Sequence, residues 1–319
     1  MKYVCTFGRS TNSKEILYGL YKNGMSTVRF NCSYSNYSIE DAMKIISEIN
    51  NEYGCKILTM SDLCGPEVRI DIQKPINISI GQIIVFGKDV KLKNGTLDVI
   101  EKDDILIVGD GEIQFIVKSI EKGLYSCEAL SSGILKVNKK ITNEKICKSI
   151  PFLSEKDIND IEYACTNGID YLCISFVNDL SNILEIKNIV NKFNPNIQLI
   201  AKIETKEGVN NLESIIKSID GIMIGRGDLG IRLPIWELSK HQKNICKIAK
   251  QNNKKIIIGT GFLNHMKENI IPSRAEVNDL YNTVLDGADE IMFSGETAIS
   301  INPIAVLKMA NSIVSTIDN

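Results

Sequence analysis

The chain carries eight short apolar segments that recur along its length. Each segment is a continuous run made mostly of Ile, Val, Leu, Met, Phe and Cys. Runs of this length are typical of parallel strands that are buried on both faces. The segments are Tyr3–Gly8, Ser26–Asn31, Lys56–Asp62, Tyr171–Val177, Gln198–Glu204, Gly221–Asp228, Lys255–Gly261 and Glu290–Glu296.

Helical patterns lie between most of these segments. Ser38 followed by Asp41 is typical of a helix N-terminus, and the segments 179–192 and 234–250 place apolar residues at helical spacing. Strand–helix alternation repeated eight times predicts an α/β fold, a (β/α)8 TIM barrel. A doubly wound open sheet is the competing fold.

One stretch between the third and fourth segments has a different pattern of apolar and polar residues. Residues 71–147 alternate apolar and polar positions, and turn signals stand at Asn94-Gly95, Asp110-Gly111 and Lys122-Gly123. We therefore predict a small all-β domain, a barrel-like lid, inserted after strand 3. The catalytic barrel would consist of residues 1–70 and 148–319, which is about 240 residues and close to the roughly 250 typical of this fold.

Composition and charge narrow the classes of function. The chain has 319 residues, with 37 basic against 39 acidic side chains. This balance offers no basic excess for binding nucleic acid or an anionic membrane. No apolar run is long enough to span a bilayer, and the N-terminus lacks the pattern of a signal peptide. We expect a cytoplasmic protein whose 9 cysteines are reduced, mostly core, residues.

Polar residues follow six of the eight predicted strands. Barrel enzymes place their chemistry at this C-terminal end of the strands, so these side chains would share one pocket. Carboxylates without a zinc-type ligand set favour a hard cation such as Mg2+, and Arg or Lys beside them favours a phosphorylated anion. Other barrel reactions stay open at this point. The charged residues concerned are Arg29, Arg69, Lys202, Asp62, Glu204 and Asp228.

Ordered motifs extend the pattern over nearly the whole chain. They are Arg29-Phe30-Asn31-Cys32-Ser33, Asp62 to Arg69, Ser154 to Asp157, Ser175-Phe176-Val177, Lys202-Ile203-Glu204, Glu207-Gly208-Val209, Arg226 to Gly230, Arg274-Ala275-Glu276, Val284 to Asp289 and Ser294 to Ala298. In these motifs the chain resembles the pyruvate kinase family. The resemblance implies transfer of a phosphoryl group from phosphoenolpyruvate to ADP, giving pyruvate and ATP.

The resemblance also implies roles for individual residues. The implied catalytic residues are Lys202, Thr260, Ser294 and Glu296. The implied substrate contacts are Arg29, Arg69, Gly227, Asp228 and Thr260. Mg2+ (or Mn2+) would be held by Glu204 and Asp228. K+ would be held by Asn31, Ser33, Asp62 and the carbonyl of Leu63, and Glu67 matches the K+-dependent form of the family. Lys139 is a weaker candidate for binding nucleotide.

Departures from the family pattern gather on its nucleotide side. Arg9 stands in place of a proline, Tyr34 in place of a histidine and Cys64 in place of a lysine, while Gly261 to His265 replace Q-M-L-E-S. Drift is one interpretation. The other is a related enzyme of a specialised pathway, acting on phosphoenolpyruvate or a 2-oxo acid with a different phosphoryl acceptor or none. A non-catalytic phosphoenolpyruvate-binding regulatory subunit is a third hypothesis.

Two of these departures, and the position at which the sequence ends, lead to further expectations. Cys64 is either a packed cysteine or a redox-sensitive thiol, and His265 is either a surface residue or a new acid–base group. The sequence stops after the helix that follows the eighth strand, so we expect the family's C-terminal regulatory domain to be absent. We also expect a homo-oligomer, with a dimer favoured because Arg274 belongs to a segment that supports barrel-to-barrel contact in the family.

Overall fold

A closed barrel of eight parallel strands dominates the computed structural model, which describes residues 1–33 and 37–317. In chain order the strands are β1 (Lys2–Thr6), β2 (Met25–Asn31), β3 (Leu58–Asp62), β4 (Val68–Asp71), β5 (Ile76–Ile78), β6 (Ile83–Phe86), β7 (Lys91–Leu92), β8 (Ile105–Val108), β9 (Ile113–Glu121), β10 (Leu124–Ala129), β11 (Gly133–Leu135), β12 (Lys140–Thr142), β13 (Tyr171–Ile174), β14 (Gln198–Ile203), β15 (Gly221–Gly225), β16 (Lys255–Gly259) and β17 (Glu290–Phe293). The departure at Tyr34 lies outside the described residues.

Helices connect the barrel strands as the alternating pattern predicts, and one short helix, Glu144–Lys148, belongs to the insert. They are α1 (Lys14–Lys22), α2 (Ile39–Tyr53), α3 (Glu144–Lys148), α4 (Glu155–Thr166), α5 (Leu180–Phe193), α6 (Lys206–Asn210), α7 (Leu212–Ile215), α8 (Arg226–Arg232), α9 (Leu238–Gln251), α10 (Arg274–Asp286), α11 (Gly295–Ala298) and α12 (Pro303–Val314). Short 3-10 helices lie at Ile216–Ser218, Ile235–Glu237 and Asn264–Lys267. No helix within the described ranges is long and apolar enough to cross a membrane.

The order of strands around the barrel confirms the predicted (β/α)8 fold. Neighbours run β1-β17-β16-β15-β14-β13-β3-β2, and each predicted apolar segment supplies one strand. Six of the observed strands end earlier than the predicted segments, whereas β2 and β3 end where their segments do. For example, β15 ends at Gly225, because Arg226 already begins α8 and the following polar residues lie in its first turn.

Local sequence explains where the helices begin and end. The Ser38 hydroxyl accepts a hydrogen bond from the Asp41 amide at 3.2 Å, so the predicted N-terminus of α2 is confirmed. That helix ends at Gly54, whose φ of 62° suits glycine. Helix α10 begins with a reciprocal capping box between Ser273 and Glu276, which the sequence reasoning did not identify.

The barrel interior is filled by one side chain from most strands. Met60, Cys173, Ile200, Met223, Ile257 and Met292 form this core together with Val4. Because side chains alternate along a strand, residues two positions further also face inward. The inward positions after Met60 and Ile200 are Asp62 and Lys202, which places charged groups at the C-terminal end of the interior.

The inserted unit comprises Gly65–Ser154, and the barrel unit comprises Met1–Cys64 and Glu155–Asn319. These bounds are wider than the predicted 71–147, because Val68 and Ile70 belong to the insert's own core and Ile150 packs against that core. Its larger sheet has the order β6-β10-β9-β8-β12-β4-β7.

Two of the predicted turns in the insert have different outcomes. Lys122 and Gly123 form the tight turn between β9 and β10, with φ of 49° and 75°. The predicted hairpin at Asn94-Gly95 is wrong, since β7 pairs with β4 rather than with β8.

Candidate active site at the C-terminal end of the barrel strands

Lys202 lies at the centre of a buried cluster of charges. Its Nζ is 3.2 Å from Asp62 Oδ1 and 3.2 Å from Glu204 Oε1, and it donates a hydrogen bond to Ser175 Oγ at 2.7 Å. Burial alone would favour the neutral amine, but the two carboxylates outweigh it and raise the pKa of Lys202. The lysine is therefore a fixed positive charge in a site that excludes most water.

Asp62 joins Lys202 to a second cation, Arg29. The Arg29 Nε donates to Asp62 Oδ2 at 2.6 Å, and its Nη1 donates to Thr6 Oγ1 at 2.9 Å. The Thr6 hydroxyl in turn donates to the main-chain oxygen of Phe293 at 2.8 Å. Burial opposes ionisation of Asp62, yet Lys202 and Arg29 together lower its pKa, so the carboxylate stays charged.

Glu204 is the carboxylate of the cluster with the least positive charge beside it. It is 2% exposed, and its Oε2 accepts a hydrogen bond from the Phe176 amide at 3.1 Å. Burial raises the pKa of Glu204 to about 7, and the nearby negative charge of Asp228 adds to that rise against the opposing effect of Lys202. Two neighbouring carboxylates with too little positive charge beside them are the oxygen donor set expected at a cation site.

Glycine at position 225 makes room for this carboxylate. A Cβ there would lie 2.2 Å from Glu204 Oε1, which is far closer than van der Waals contact allows. Asp228 is half-buried in the first turn of α8, three positions after Gly225. The end of β15 therefore brings Asp228 and Glu204 close enough to interact.

Ser175 is a member of the cluster that the sequence reasoning did not select. It is 2% exposed, accepts from Lys202, and donates to the carbonyl oxygen of Leu63 at 2.7 Å. It also lies 3.3 Å from Asp62 Oδ1. The motif Ser175-Phe176-Val177 was a signal for it, but a serine just after a strand usually indicates only a loop.

Thr260 approaches Gly227 from the neighbouring strand. A Cβ on Gly227 would lie 3.0 Å from Thr260 Cγ2, so the two predicted substrate contacts are adjacent. Thr260 has a φ of 77°, which is a strained value for a β-branched residue. The structure thus brings together the ends of β15 and β16 at the expected place.

Ser294 and Glu296 follow β17. The Glu296 Oε2 accepts a hydrogen bond from the Ser294 amide at 2.7 Å, and Oε1 lies 3.8 Å from Lys267 Nζ. Glu296 is 2% exposed, and burial raises its pKa. These contacts are those of a residue that fixes Ser294 at the start of α11.

The predicted K+ ligands lie on two neighbouring strand ends. Asn31 Oδ1 accepts from the Ser33 amide at 3.0 Å, while Asp62 and the Leu63 carbonyl take part in the cluster described above. The Cys64 thiol lies within 4.8 Å of carboxylates of Asp157 and Asp160. Burial raises the pKa of Cys64, which favours a packed thiol over a reactive thiolate.

Three other predicted residues make contacts of their own. His265 is exposed at the surface, and its amide, not its ring, donates to Glu276 at 2.8 Å. Arg69 and Lys139 belong to the inserted unit. There Arg69 pairs with Glu67 at 2.6 Å, and Lys139 pairs with Glu112 at 3.1 Å.

A parallel barrel with buried cations and carboxylates at the ends of its strands defines a (β/α)8-barrel enzyme. A family model described as the pyruvate kinase barrel domain matches residues 1–307. The chain belongs to the pyruvate kinase family.

Individual relatives agree with this assignment. The pyruvate kinase of Chlamydia pneumoniae is 32% identical over 98% of this chain and 67% of its own length. Pyruvate kinase isozyme G of the Nicotiana tabacum chloroplast is 34% identical over 97% of this chain, and that of Thermoplasma acidophilum is 33% identical over 100%. The chain spans only 57% and 58% of the length of these last two relatives.

Proposed function

We propose that this chain is a phosphotransferase that moves the phosphoryl group of phosphoenolpyruvate to ADP, giving pyruvate and ATP. The observation that carries the proposal is the position of Lys202, which is buried between Asp62 and Glu204 and shares Asp62 as a partner with Arg29. Phosphoryl transfer needs positioning and fixed positive charge more than covalent help from the protein. This cluster supplies both.

Lys202 and Arg29 are the groups that meet the phosphoryl oxygens in this proposal. Both side chains are held by Asp62 before any ligand arrives, so little reorganisation is needed during the reaction. Their burial excludes water, which strengthens the attraction to the charge that develops on the moving group. Arg69 of the inserted unit remains a predicted further contact.

Glu204 and Asp228 are the residues that would hold Mg2+ or Mn2+. Their fit rests on an observation, namely that Glu204 is buried beside Asp228 with its pKa raised to about 7. A divalent cation would remove this repulsion and, when bound, would supply positive charge to the carboxylate and phosphate oxygens of the substrate.

A K+ site is the second cation site that we propose. Asn31, Ser33, Asp62 and the Leu63 carbonyl offer oxygen atoms only, which is the chemistry of a hard cation. Ser175 links this set to the catalytic lysine, because it binds both Lys202 and the Leu63 carbonyl. Activity that is high in K+ and low in Na+ at equal ionic strength would support this assignment.

The remaining residues of the site orient the substrate and receive the proton. The amides of Gly227 and Asp228 would bind the substrate carboxylate, and the Thr260 and Ser294 hydroxyls would face the carbon that is protonated. Glu296 would act by fixing Ser294, through the hydrogen bond to its amide. The direct catalytic role predicted for Glu296 and the nucleotide contact predicted for Lys139 stay predictions.

The test is a coupled assay that measures pyruvate formed from phosphoenolpyruvate with ADP and with other nucleoside diphosphates. We expect Mg2+-dependent turnover with at least one of them. Absence of turnover with every acceptor, from a folded protein supplied with Mg2+ and K+, would refute the proposal.

A changed phosphoryl acceptor is the second candidate function. One observation favours it: Arg9 is exposed in the loop after β1, where the family pattern has a proline. Calorimetry separates the two candidates, since tight phosphoenolpyruvate binding without nucleotide binding would favour the second. Turnover that disappears in Lys202→Met would exclude the hypothesis of a non-catalytic subunit.

The predicted homo-oligomer and the cytoplasmic location also belong to this proposal. Light scattering of the purified chain measures the first, with a dimer as the expected result. Fractionation of the source cells measures the second.

A further inference from the structure

Arg226 joins three separate elements of the barrel. Its Nη1 and Nη2 bind Asp279 of α10 at 2.7 and 2.9 Å. Its Nε and Nη2 donate to the main-chain oxygen of Thr260 at 3.1 and 2.6 Å. The guanidinium also lies 3.9 Å from the ring centroid of Phe262. The guanidinium therefore makes a bidentate ion pair, two hydrogen bonds to one carbonyl oxygen and a cation–π contact. Together these contacts fix the position of the side chain.

The carbonyl that Arg226 holds belongs to the strained residue of the site. Thr260 has a φ of 77°, and a β-branched residue keeps such a conformation only where its surroundings impose it. Two charge-assisted hydrogen bonds from Arg226 hold its carbonyl in this conformation. The same conformation places Thr260 Cγ2 against Gly227.

We propose that Arg226 is a positioning residue, which Asp279 and Phe262 hold so that it fixes Thr260 against Gly227. This inference rests on the proposed function for the role of Thr260, but its structural part does not. Arg226 does not bind substrate in this proposal. Its guanidinium is engaged by Asp279 and by the Thr260 carbonyl, and it acts through the main chain of Thr260.

The sequence after β16 fits this role. Gly261 has a φ of 86°, and a Cβ there would have the Arg226 Nη2 atom as its neighbour at 3.7 Å. The following residue is Phe262, which is fully buried under the guanidinium. The family pattern has Q-M at these two positions. The change to Gly-Phe replaces a side chain beside Arg226 and adds an aromatic face beneath it.

The first experiment measures the structural part alone. Arg226→Met is compared with Lys243→Met, which breaks another ion pair to α10, with Asp286. Hydrogen exchange in the peptide that covers residues 260–266 should speed up at least about tenfold in Arg226→Met and stay unchanged in Lys243→Met. Equal exchange in the two variants would overturn the inference, whether or not the protein has the proposed activity.

The second experiment measures the connection to the site. Arg226→Met should lower kcat/KM for phosphoenolpyruvate about 10²-fold, the scale expected for a misplaced contact. Arg226→Lys should recover part of the loss, since a lysine can still donate to the Thr260 carbonyl. A general loss of stability would instead reduce the active fraction and leave KM unchanged.

A double-mutant cycle then asks whether Arg226 acts through Thr260. If it does, Arg226→Met combined with Thr260→Ala should lose no more than the larger of the two single losses. Losses that multiply would overturn the inference. A wild-type protein without turnover or phosphoenolpyruvate binding would refute the proposed function instead, and the exchange experiment would then decide the positioning role alone.

Discussion

Lys202 and Glu204 form a buried ion pair, with 3.2 Å between Nζ and Oε1, at the end of the strand that carries them. The pair is unequal. Lys202 has a second carboxylate in Asp62, whereas Glu204 has one cation and a carboxylate neighbour, Asp228. The positive charge of Lys202 is therefore neutralised by two carboxylates, whereas the negative charge at Glu204 is not fully neutralised. A cation and a phosphorylated substrate would bind at Glu204.

Replacing Lys202 tests the centre of this site. Lys202→Met should lower turnover at least about 10³-fold, because it removes a preorganised charge from a buried site. Asp62 keeps Arg29 as a partner, so the variant should stay folded by circular dichroism. Lys254→Met is the control, since that lysine donates to a main-chain carbonyl, that of Ile219, and to no carboxylate among the described residues. Normal activity in Lys202→Met would contradict the proposed role.

Glu204 should make the metal-free protein less stable as the pH rises. Its pKa lies near 7 in the folded chain against 4.5 unfolded, so the folded state binds more protons between these values. Stability therefore falls as the pH increases from about 4.5 to 7, by roughly 3 kcal/mol if Glu204 acts alone.

Urea denaturation in EDTA at pH 5 and pH 8 measures this effect. Glu204→Gln should lack this part of the pH dependence and should be the more stable protein at pH 8. It should also lose the stabilisation that Mg2+ gives to the wild type. If the free energy of unfolding depends on pH in the same way in both proteins, ionisation of Glu204 does not destabilise the fold.

The sequence predicts the charged part of this site for a geometric reason. Met60 and Ile200 are core residues of two strands, so alternation alone directs Asp62 and Lys202 inward at the strand ends. The barrel itself follows from eight apolar segments, each of which needs burial on both faces.

Other features depend on contacts between distant parts of the chain, and local patterns do not contain them. Ser175 gains its role only when the barrel brings it to Lys202 and Leu63. The partner of Arg226 is Asp279, which is 53 positions away. The insert extends beyond the predicted 71–147 for the same reason, since Val68 looks like any strand residue until its packing is known.

Ser175→Ala should affect the chemical step more than substrate binding. The hydroxyl holds Lys202 Nζ at 2.7 Å, and its removal leaves a buried ammonium with one donor unpaired. We expect kcat to fall about tenfold with a small change in KM for phosphoenolpyruvate, measured in the coupled assay. Ser175→Thr keeps the hydroxyl and serves as the control. A loss confined to KM would place Ser175 in substrate binding.

Gly225→Ala should impair the use of Mg2+ without changing the fold of the barrel. The added Cβ would lie 2.2 Å from Glu204 Oε1, so the carboxylate must move. The concentration of Mg2+ that gives half-maximal activity should rise about tenfold or more. Gly230→Ala in α8 is the control, because its Cβ would meet only the flexible ends of two side chains, Ile235 at 3.1 Å and Leu238 at 3.5 Å, among the described residues. Equal Mg2+ requirements in the two variants would contradict this assignment.

A second ion pair, partly buried at the beginning of two barrel strands, should contribute to stability alone. Lys255 Nζ lies 3.3 Å from Glu290 Oε1 and donates to the Tyr171 hydroxyl at 2.8 Å, while Glu290 Oε2 has no hydrogen-bond partner among the described residues. Lys255→Met leaves Glu290 buried and unpaired, which should cost about 3 kcal/mol in the free energy of unfolding.

Lys255→Met combined with Glu290→Leu should recover most of that loss, because the pair is then replaced by apolar side chains. Both variants should keep wild-type kcat, since these residues begin β16 and β17 whereas the candidate site lies where the strands end. Urea denaturation and the coupled assay measure the two effects separately. A double variant that is less stable than Lys255→Met would mean that Glu290 stabilises the barrel through contacts other than its pair with Lys255.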